Sequence, residues 1–470
     1  MSITYLGCKG YTIVKHSISM TEHTFIRKEL DVSPNKTLMG PCPSFPIYRE
    51  SSSKLYVPRY FGLEHYGEPN EYKIDTGENI ELTFHGALFP YQENIVNKYV
   101  NHVNKNGGGG LLDIEPGKGK TVMALNIISK LKKKTLIIVH KTFLLNQWIE
   151  RIQQFLPKAK IGKIQGEIMD INNKDIVIGM LQSLCQKSYR NDTFTSFGLS
   201  VYDECHHLSA EAFSNAMVKI VTWHTLGLSG TMTRKDGLSK VFKMFIGPVI
   251  HKEQSKKDVE VLVKAIKYKT TDDEFNEVLV DFRGNPAYSS MISKLCAFNN
   301  RSEFILEVLE NELKENKNQQ IMILAHNKIL INYLYSAINH RNIASVGYYI
   351  GGMKEAALKE SESKQVIIGT YAMASEGLDI KTLTTLLMAT PKTDVCQSVG
   401  RILRTKHIQP MVIDIIDSHD IFKNQWKKRH DYYKKQNYKV LMSNNIEYKL
   451  NKWEHLLNKS TTKKKCLINL

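Results

Sequence analysis

Ile114-Glu115-Pro116-Gly117-Lys118-Gly119-Lys120-Thr121 lies between an apolar run at 110–114 and a helix-like stretch at 122–131. In a strand-loop-helix setting, glycines let backbone N–H groups turn inward around phosphate oxygens, and the helix start adds the positive end of its dipole. Lys120 then reaches the terminal phosphates and Thr121 offers a hydroxyl to Mg²⁺, while Gly117 and Gly119 shape the cradle. The full G-x-x-x-x-G-K-[ST] spacing asks for glycine where Ile114 stands. The stretch predicts a nucleotide site; its alternative is a Gly-Lys-rich surface loop.

On both sides of this loop, from about Leu88 to Asp417, apolar runs of strand length alternate with amphipathic segments of helix length. Such alternation predicts an α/β fold with parallel sheets covered by helices on both faces. Strands are expected at 110–114, 135–140, 175–179, 199–203 and 225–229, and again at 320–325, 365–370, 385–389 and 411–416. Two α/β domains follow, at 83–251 and 301–420. Residues 252–300 are charged and polar, with Gly284-Asn285-Pro286 as a turn signal, and are assigned to a junction. Residues 1–82 mix short apolar runs with Pro34, Pro41, Pro43, Pro46, Pro58 and Pro69, which predicts an irregular, strand-containing accessory domain. Residues 421–470 carry thirteen Lys or Arg against three acids and are read as a basic tail that begins as a helix.

The run Leu199-Ser200-Val201-Tyr202 leads into Asp203-Glu204-Cys205-His206. A strand that ends in adjacent acids delivers them to the carboxyl edge of the sheet, where open α/β folds bind their ligands. Asp203 is suited to hold Mg²⁺, and Glu204 to orient and deprotonate an attacking water. Alone, the string reads as an acidic loop; downstream of a phosphate loop it reads as the other half of a nucleotide-hydrolysing site.

The order of these elements resembles a superfamily 2 helicase, a family in which the departure at Ile114 is shared by many members. The resemblance implies two tandem RecA-like domains, with Gln92 of Tyr91-Gln92 reading adenine and Ser229-Gly230-Thr231 coupling the site to movement. Glu376-Gly377-Leu378-Asp379 resembles the motif that touches nucleic acid and nucleotide together, through Gly377 and Asp379. Gln397-Ser398-Val399-Gly400-Arg401-Ile402-Leu403-Arg404 matches Q-x-x-G-R-x-x-R in full, with Gln397 on the nucleotide and Arg401 and Arg404 as catalytic arginines. An arginine finger is worth roughly 10³ to 10⁵ in rate, so a site divided between two domains hydrolyses ATP quickly only when they close. Closure also shifts a nucleic-acid strand gripped at strand ends by Lys141, Thr142, Gln182, Ser183, His326 and Thr370, through backbone and hydroxyl contacts. Each of these residues alone reads as a cap or turn residue.

Leu88-Phe89-Pro90-Tyr91-Gln92, the segment 228–237 and the segment 389–404 resemble the branch containing XPB, the phage UvsW helicase and the transcript-release helicases of poxviruses and other large DNA viruses. Residues 422–433, with Gln425 and Arg429, are most similar to the viral group. The resemblance implies an ATP- and Mg²⁺-dependent 3′-to-5′ DNA helicase or translocase that serves viral transcript release.

Composition agrees with a polyanionic partner: 64 Lys and Arg against 47 Asp and Glu give +17. The resemblance, not the charge, implies DNA in preference to RNA, with the transcription machinery as a further partner. Seven scattered cysteines without a C-x-x-C pair point to free thiols in a reducing compartment. No apolar stretch predicts a membrane span or secretory segment, so neither secretion nor membrane insertion is expected. A cytoplasmic monomer is expected, and the viral resemblance implies the host cytoplasm, the viral factory or the virion as its place. An RNA helicase of the DExH type, a protein-remodelling ATPase and a non-enzymatic binding module are the competing readings. The set Lys120, Glu204, Arg401 and Arg404 argues against the last.

Overall fold

The computed structural model describes residues 3–34, 43–106, 108–115, 117–204, 210–230, 237–252, 261–376, 380–400, 402 and 409–456. The chain divides into two compact units, Met1–Gln254 and Ser255–Leu470.

The first unit combines a small sheet with a large one. The small sheet runs in the order Arg49–Glu50, Lys54–Val57, Gly10–Val14, Thr4–Gly7, Glu71–Tyr72, and is antiparallel except for its last pair. Helix Met20–Leu30 starts on a capping box, with Ser19 and Glu22 each satisfying the other's backbone N–H. Tyr11 and Phe61 of this region and Phe242 and Phe245 of helix Ser239–Ile246 are buried in one apolar cluster. Tyr60 donates to Gly109 O, and Arg59 Nη1 donates to Trp223 O, so polar contacts reinforce the shared core.

The large sheet has the order Ile168–Met169, Ile161–Gln165, Ile176–Met180, Thr135–Val139, Leu199–Tyr202, His224–Ser229, Gly108–Asp113, Val249–Lys252. Every pairing is parallel except the short hairpin partner Ile168–Met169. Its central strands Thr135–Val139, Leu199–Tyr202 and His224–Ser229 are buried along their whole length, as parallel strands covered on both faces are. The first strand begins at Gly108, earlier than the expected 110, inside a glycine run. A Cβ on Gly109 would stand 1.8 Å from Thr225 O, so only glycine permits this approach of neighbouring strands.

The second unit holds another sheet, in the order Val346–Tyr349, Val366–Thr370, Gln320–Ala325, Leu383–Met388, Met411–Asp417, Leu262–Tyr268, Lys439–Asn444, Glu454–His455. It too is parallel up to its last pair. The two parallel sheets give the RecA-like α/β architecture twice in tandem.

Two segments set apart in the sequence reading belong to this second sheet. Leu262–Tyr268, from the stretch assigned to a junction, lies between Met411–Asp417 and Lys439–Asn444. Lys439–Asn444 and helix Asp420–Lys435 come from the stretch read as a basic tail. Their charge misled: the helix buries Phe422, Trp426, Arg429 and Tyr433 on one stripe and exposes Lys423, Lys427, Lys428, Lys434 and Lys435 on the other. Among the described residues, no helix is long and apolar enough to cross a membrane.

Candidate active site

Parallel strands bring three chain segments to one sheet edge. Register aligns Asp113 with Ser229 on one side of strand His224–Ser229, and Leu226 with Val201 on the other. The loop after Asp113, the turn after Ser229 and the acids after Tyr202 therefore emerge together at the carboxyl ends.

The phosphate loop closes on helix Lys120–Leu131, whose N-cap Gly119 is left-handed at φ 82° and ψ 35°. Gly117 also has positive φ, 84°. A Cβ on Gly119 would lie 2.4 Å from Gln92 Nε2, so conformation and space both require glycine. Lys118, Gly119, Lys120 and Thr121 are partly exposed at the helix start.

Gln92, expected to read adenine, is 5% exposed with both ends of its amide engaged. Nε2 donates to Lys118 O at 2.9 Å, and Oε1 accepts from Phe89 N–H at 3.0 Å. Its observed work is to hold the phosphate loop, assisted by Tyr91 OH, which also donates to Lys118 O at 3.0 Å. The exposed rings of Phe89 and Tyr91 stack beside it, with centroids 6.0 Å apart and planes within 6°.

Lys120 Nζ donates to Glu204 Oε1 at 2.7 Å, with the side chains 10% and 22% exposed. Glu204 takes a left-handed backbone, φ 47°, uncommon for a residue with a side chain. Immediately before it, Asp203 is nearly buried, and Trp148 Nε1 donates to its Oδ2 at 2.9 Å. Burial first, then the neighbouring Glu204 charge, push the Asp203 carboxyl up to about 6, against the opposing pull of Lys120 and Trp148. Asp113, half-buried two strands away at the end of Gly108–Asp113, is likewise raised by burial and partly offset by Lys252 and Lys120. Sequence reasoning missed Trp148: it sits on helix Thr142–Phe155 among Leu144, Leu145 and Ile152, and a tryptophan at that spacing looks like core.

The donor set suits a nucleotide with a hard divalent cation. A carboxylate crowded by a like charge and a threonine hydroxyl at the helix start are oxygen ligands of the kind Mg²⁺ prefers.

In the first unit, the candidate nucleic-acid contacts come together. Lys141 and Thr142 follow strand Thr135–Val139, while Gln182 and Ser183 follow its neighbour Ile176–Met180. Gln165 Nε2 donates to Thr142 Oγ1 at 3.3 Å, and Gly166 N–H donates to Ser183 Oγ at 2.9 Å, so one turn ties the two stretches. In the second unit, His326 and Thr370 end the paired strands Gln320–Ala325 and Val366–Thr370. Burial, then the Lys392 charge, depress His326 to about 4, which keeps it neutral.

Cys205, His206, Thr231, Gly377, Asp379, Arg401 and Arg404 lie outside the described residues. Gln397 falls on the short helix Cys396–Val399.

A family model described as "Type III restriction enzyme, res subunit" matches residues 85–234. "Putative ATP-dependent RNA helicase L396" of Acanthamoeba polyphaga mimivirus is 37% identical over 462 residues, covering 94% of this chain and 88% of that protein. "Putative ATP-dependent RNA helicase QP509L" of African swine fever virus (isolate Tick/Malawi/Lil 20-1/1983) is 26% identical, covering 92% and 87%. "DNA 3'-5' translocase XPB2" of Sulfurisphaera tokodaii is 24% identical, covering 65% and 77%.

Proposed function

The chain belongs to the ATP-dependent superfamily 2 helicases of large DNA viruses, and on that premise we propose that it is a 3′-to-5′ DNA helicase or translocase acting in viral transcript release. ATP hydrolysis and action on nucleic acid are the family's common ground. The polarity, the DNA preference, the transcription role and the host cytoplasm or viral factory as its place are our reading.

One observation supports the ATP-hydrolysing part of this reading: the 2.7 Å Lys120–Glu204 ion pair beside the buried Asp203. Here a cation meant for phosphate and a carboxylate meant for water neutralise one another. With ATP on the loop, Lys120 turns to the phosphates and frees Glu204 to accept the proton of the attacking water. Asp203 and Thr121 would hold Mg²⁺, which when bound neutralises phosphate charge. Trp148 keeps Asp203 oriented, Gln92 keeps the loop in place, and the Phe89–Tyr91 pair offers the adenine an aromatic surface. Gly377, Asp379, Gln397, Arg401 and Arg404 enter from the sequence motif, the two arginines stabilising charge in the transition state.

The likeness to the DNA 3′-to-5′ translocase XPB2 supports the DNA reading. The mimivirus and swine fever virus relatives, both named as RNA helicases, favour RNA as the second reading. ATP turnover measured with duplex DNA, single-stranded DNA and RNA separates them. Stimulation by DNA is expected; stimulation by RNA alone replaces the first reading with the second, and indifference to all three leaves a remodelling ATPase.

A further inference from the structure

The connector between strand Leu383–Met388 and helix Cys396–Val399 carries an arrangement that the ATP site leaves unused. Four consecutive backbone carbonyls each accept a hydrogen bond from a side chain on a different helix. Arg301 Nη2, on helix Asn299–Glu315, donates to Ala389 O at 2.8 Å. Tyr371 OH, on helix Tyr371–Glu376, donates to Thr390 O at 2.5 Å. Tyr288 OH, on helix Tyr288–Ala297, donates to Pro391 O at 3.3 Å. Arg429 Nη1, on helix Asp420–Lys435, donates to Lys392 O at 2.7 Å. Loop carbonyls ordinarily turn to water, so a run of four held by side chains fixes this connector far more firmly than chain continuity requires.

The two arginines are themselves anchored at a cost. Arg301 grips Asp417 through Nε at 2.6 Å and Nη2 at 2.9 Å, and Arg429 grips Asp414 through Nε at 2.8 Å and Nη2 at 2.9 Å. All four side chains are fully buried. Apolar residues of similar volume would stabilise a fold as well as buried ion pairs or better, so stability alone does not account for two pairs on one strand. Both aim a spare N–H at the same connector, which accounts for them as positioning devices.

Thr390 adds a link to the strand ends. Its Oγ1 accepts from His326 N–H at 3.1 Å and lies 2.8 Å from His326 Nδ1. The two contacts tie Thr390 to both the backbone and the ring of His326.

We propose that Tyr371, Tyr288, Arg301 and Arg429 are positioning residues that hold 389–392 as a relay. It runs between the strand ends at His326 and Thr370, where nucleic acid is expected, and the arginine motif that begins at Gln397. The proposal rests on the ATP-driven motor reading above.

The test is steady-state ATP turnover with and without saturating duplex DNA or RNA, whichever stimulates the wild type, on the full chain. Tyr371→Phe removes one hydroxyl. It should lower the stimulated kcat about tenfold or more, with the KM for ATP and the unstimulated turnover within about twofold of wild type. Tyr448→Phe removes the hydroxyl of another buried tyrosine of the same unit, one that faces Asn311, and should keep full stimulation. Should Tyr371→Phe not fold, Tyr288→Phe carries the same expectation. Normal stimulation in the folded connector variant, or an equal loss in Tyr448→Phe, overturns the relay alone. A wild type whose turnover ignores nucleic acid overturns the motor reading and the relay together.

Discussion

The ion pair of the first unit and those of the second obey opposite physical rules. Lys120 and Glu204 meet at a partly exposed sheet edge through a single 2.7 Å contact. Arg301–Asp417 and Arg429–Asp414 are bidentate and sealed from water. Water at the first pair lowers the cost of separating the charges, so each partner can be exchanged for substrate. Separating the second pairs would leave a bare charge in an apolar interior, so they hold geometry and cannot serve as exchangeable groups. Chemistry sits where partners can change, and transmission where they cannot.

The largest expected effect strikes the exchangeable pair. Glu204→Gln should lower ATP turnover by roughly 10² to 10⁴, the usual value of a general base, while fluorescent-nucleotide binding persists. Lys120→Ala should lose affinity as well as turnover if, as proposed, its ammonium contacts the phosphates before the transition state. Substantial turnover in Glu204→Gln would remove it as the base and erase the contrast.

Next comes stability at the sealed pairs, read from urea midpoints. Asp414→Ala should cost about 3–5 kcal/mol by leaving Arg429 uncompensated. Replacing both partners together, Asp414→Leu with Arg429→Met, should cost far less. If single and double variants unfold alike, the pair acts through packing and not through charge.

A smaller effect follows from Asp203. Its folded-state pKa, about 6, lies above the roughly 3.9 of an unfolded aspartate, so the folded state favours the protonated form. Stability from this group is present below about pH 4 and is lost as pH rises through 6. Asp203→Asn should therefore melt a few degrees higher than wild type at pH 7 and lose that advantage near pH 4, while its ATP turnover is expected to fall. Trp148→Phe, which removes a bond to the ionised form, should move the acid limb of the pH–rate profile upward. A profile that stays in place would detach Trp148 from the site.

The smallest effect concerns the chain end. Removing 421–470 would tear out a buried helix and a sheet strand, so the informative truncation takes 457–470 alone, with its four lysines. It should flatten the salt dependence of nucleic-acid affinity slightly and leave turnover unchanged.

What the sequence made legible follows the local or separated character of each signal. Strands at 135–139, 199–202 and 320–325 announce themselves as continuous apolar runs, and the phosphate loop and Asp203-Glu204 carry their chemistry within a few adjacent residues. Leu262–Tyr268 escaped because Lys264 and Lys267 break its apolar run. Yet Lys264 is buried against Glu312, a partner that only the fold supplies. Gln92 was legible as a site residue, but its grip on Lys118 O was not, since nothing in a string of letters tells which carbonyl an amide reaches. The clamp on 389–392 was equally hidden, because its four donors are scattered from 288 to 429.

The placement of Leu262–Tyr268 also constrains how the second unit is made. This strand leaves the ribosome first among those of its sheet, yet both its neighbours, Met411–Asp417 and Lys439–Asn444, are among the last to emerge. Until they arrive it has two bare edges, a template for pairing with the wrong chain. This sheet can therefore close only once residues 411–444 have emerged, and a nascent chain stalled before residue 411 should be a client for chaperones.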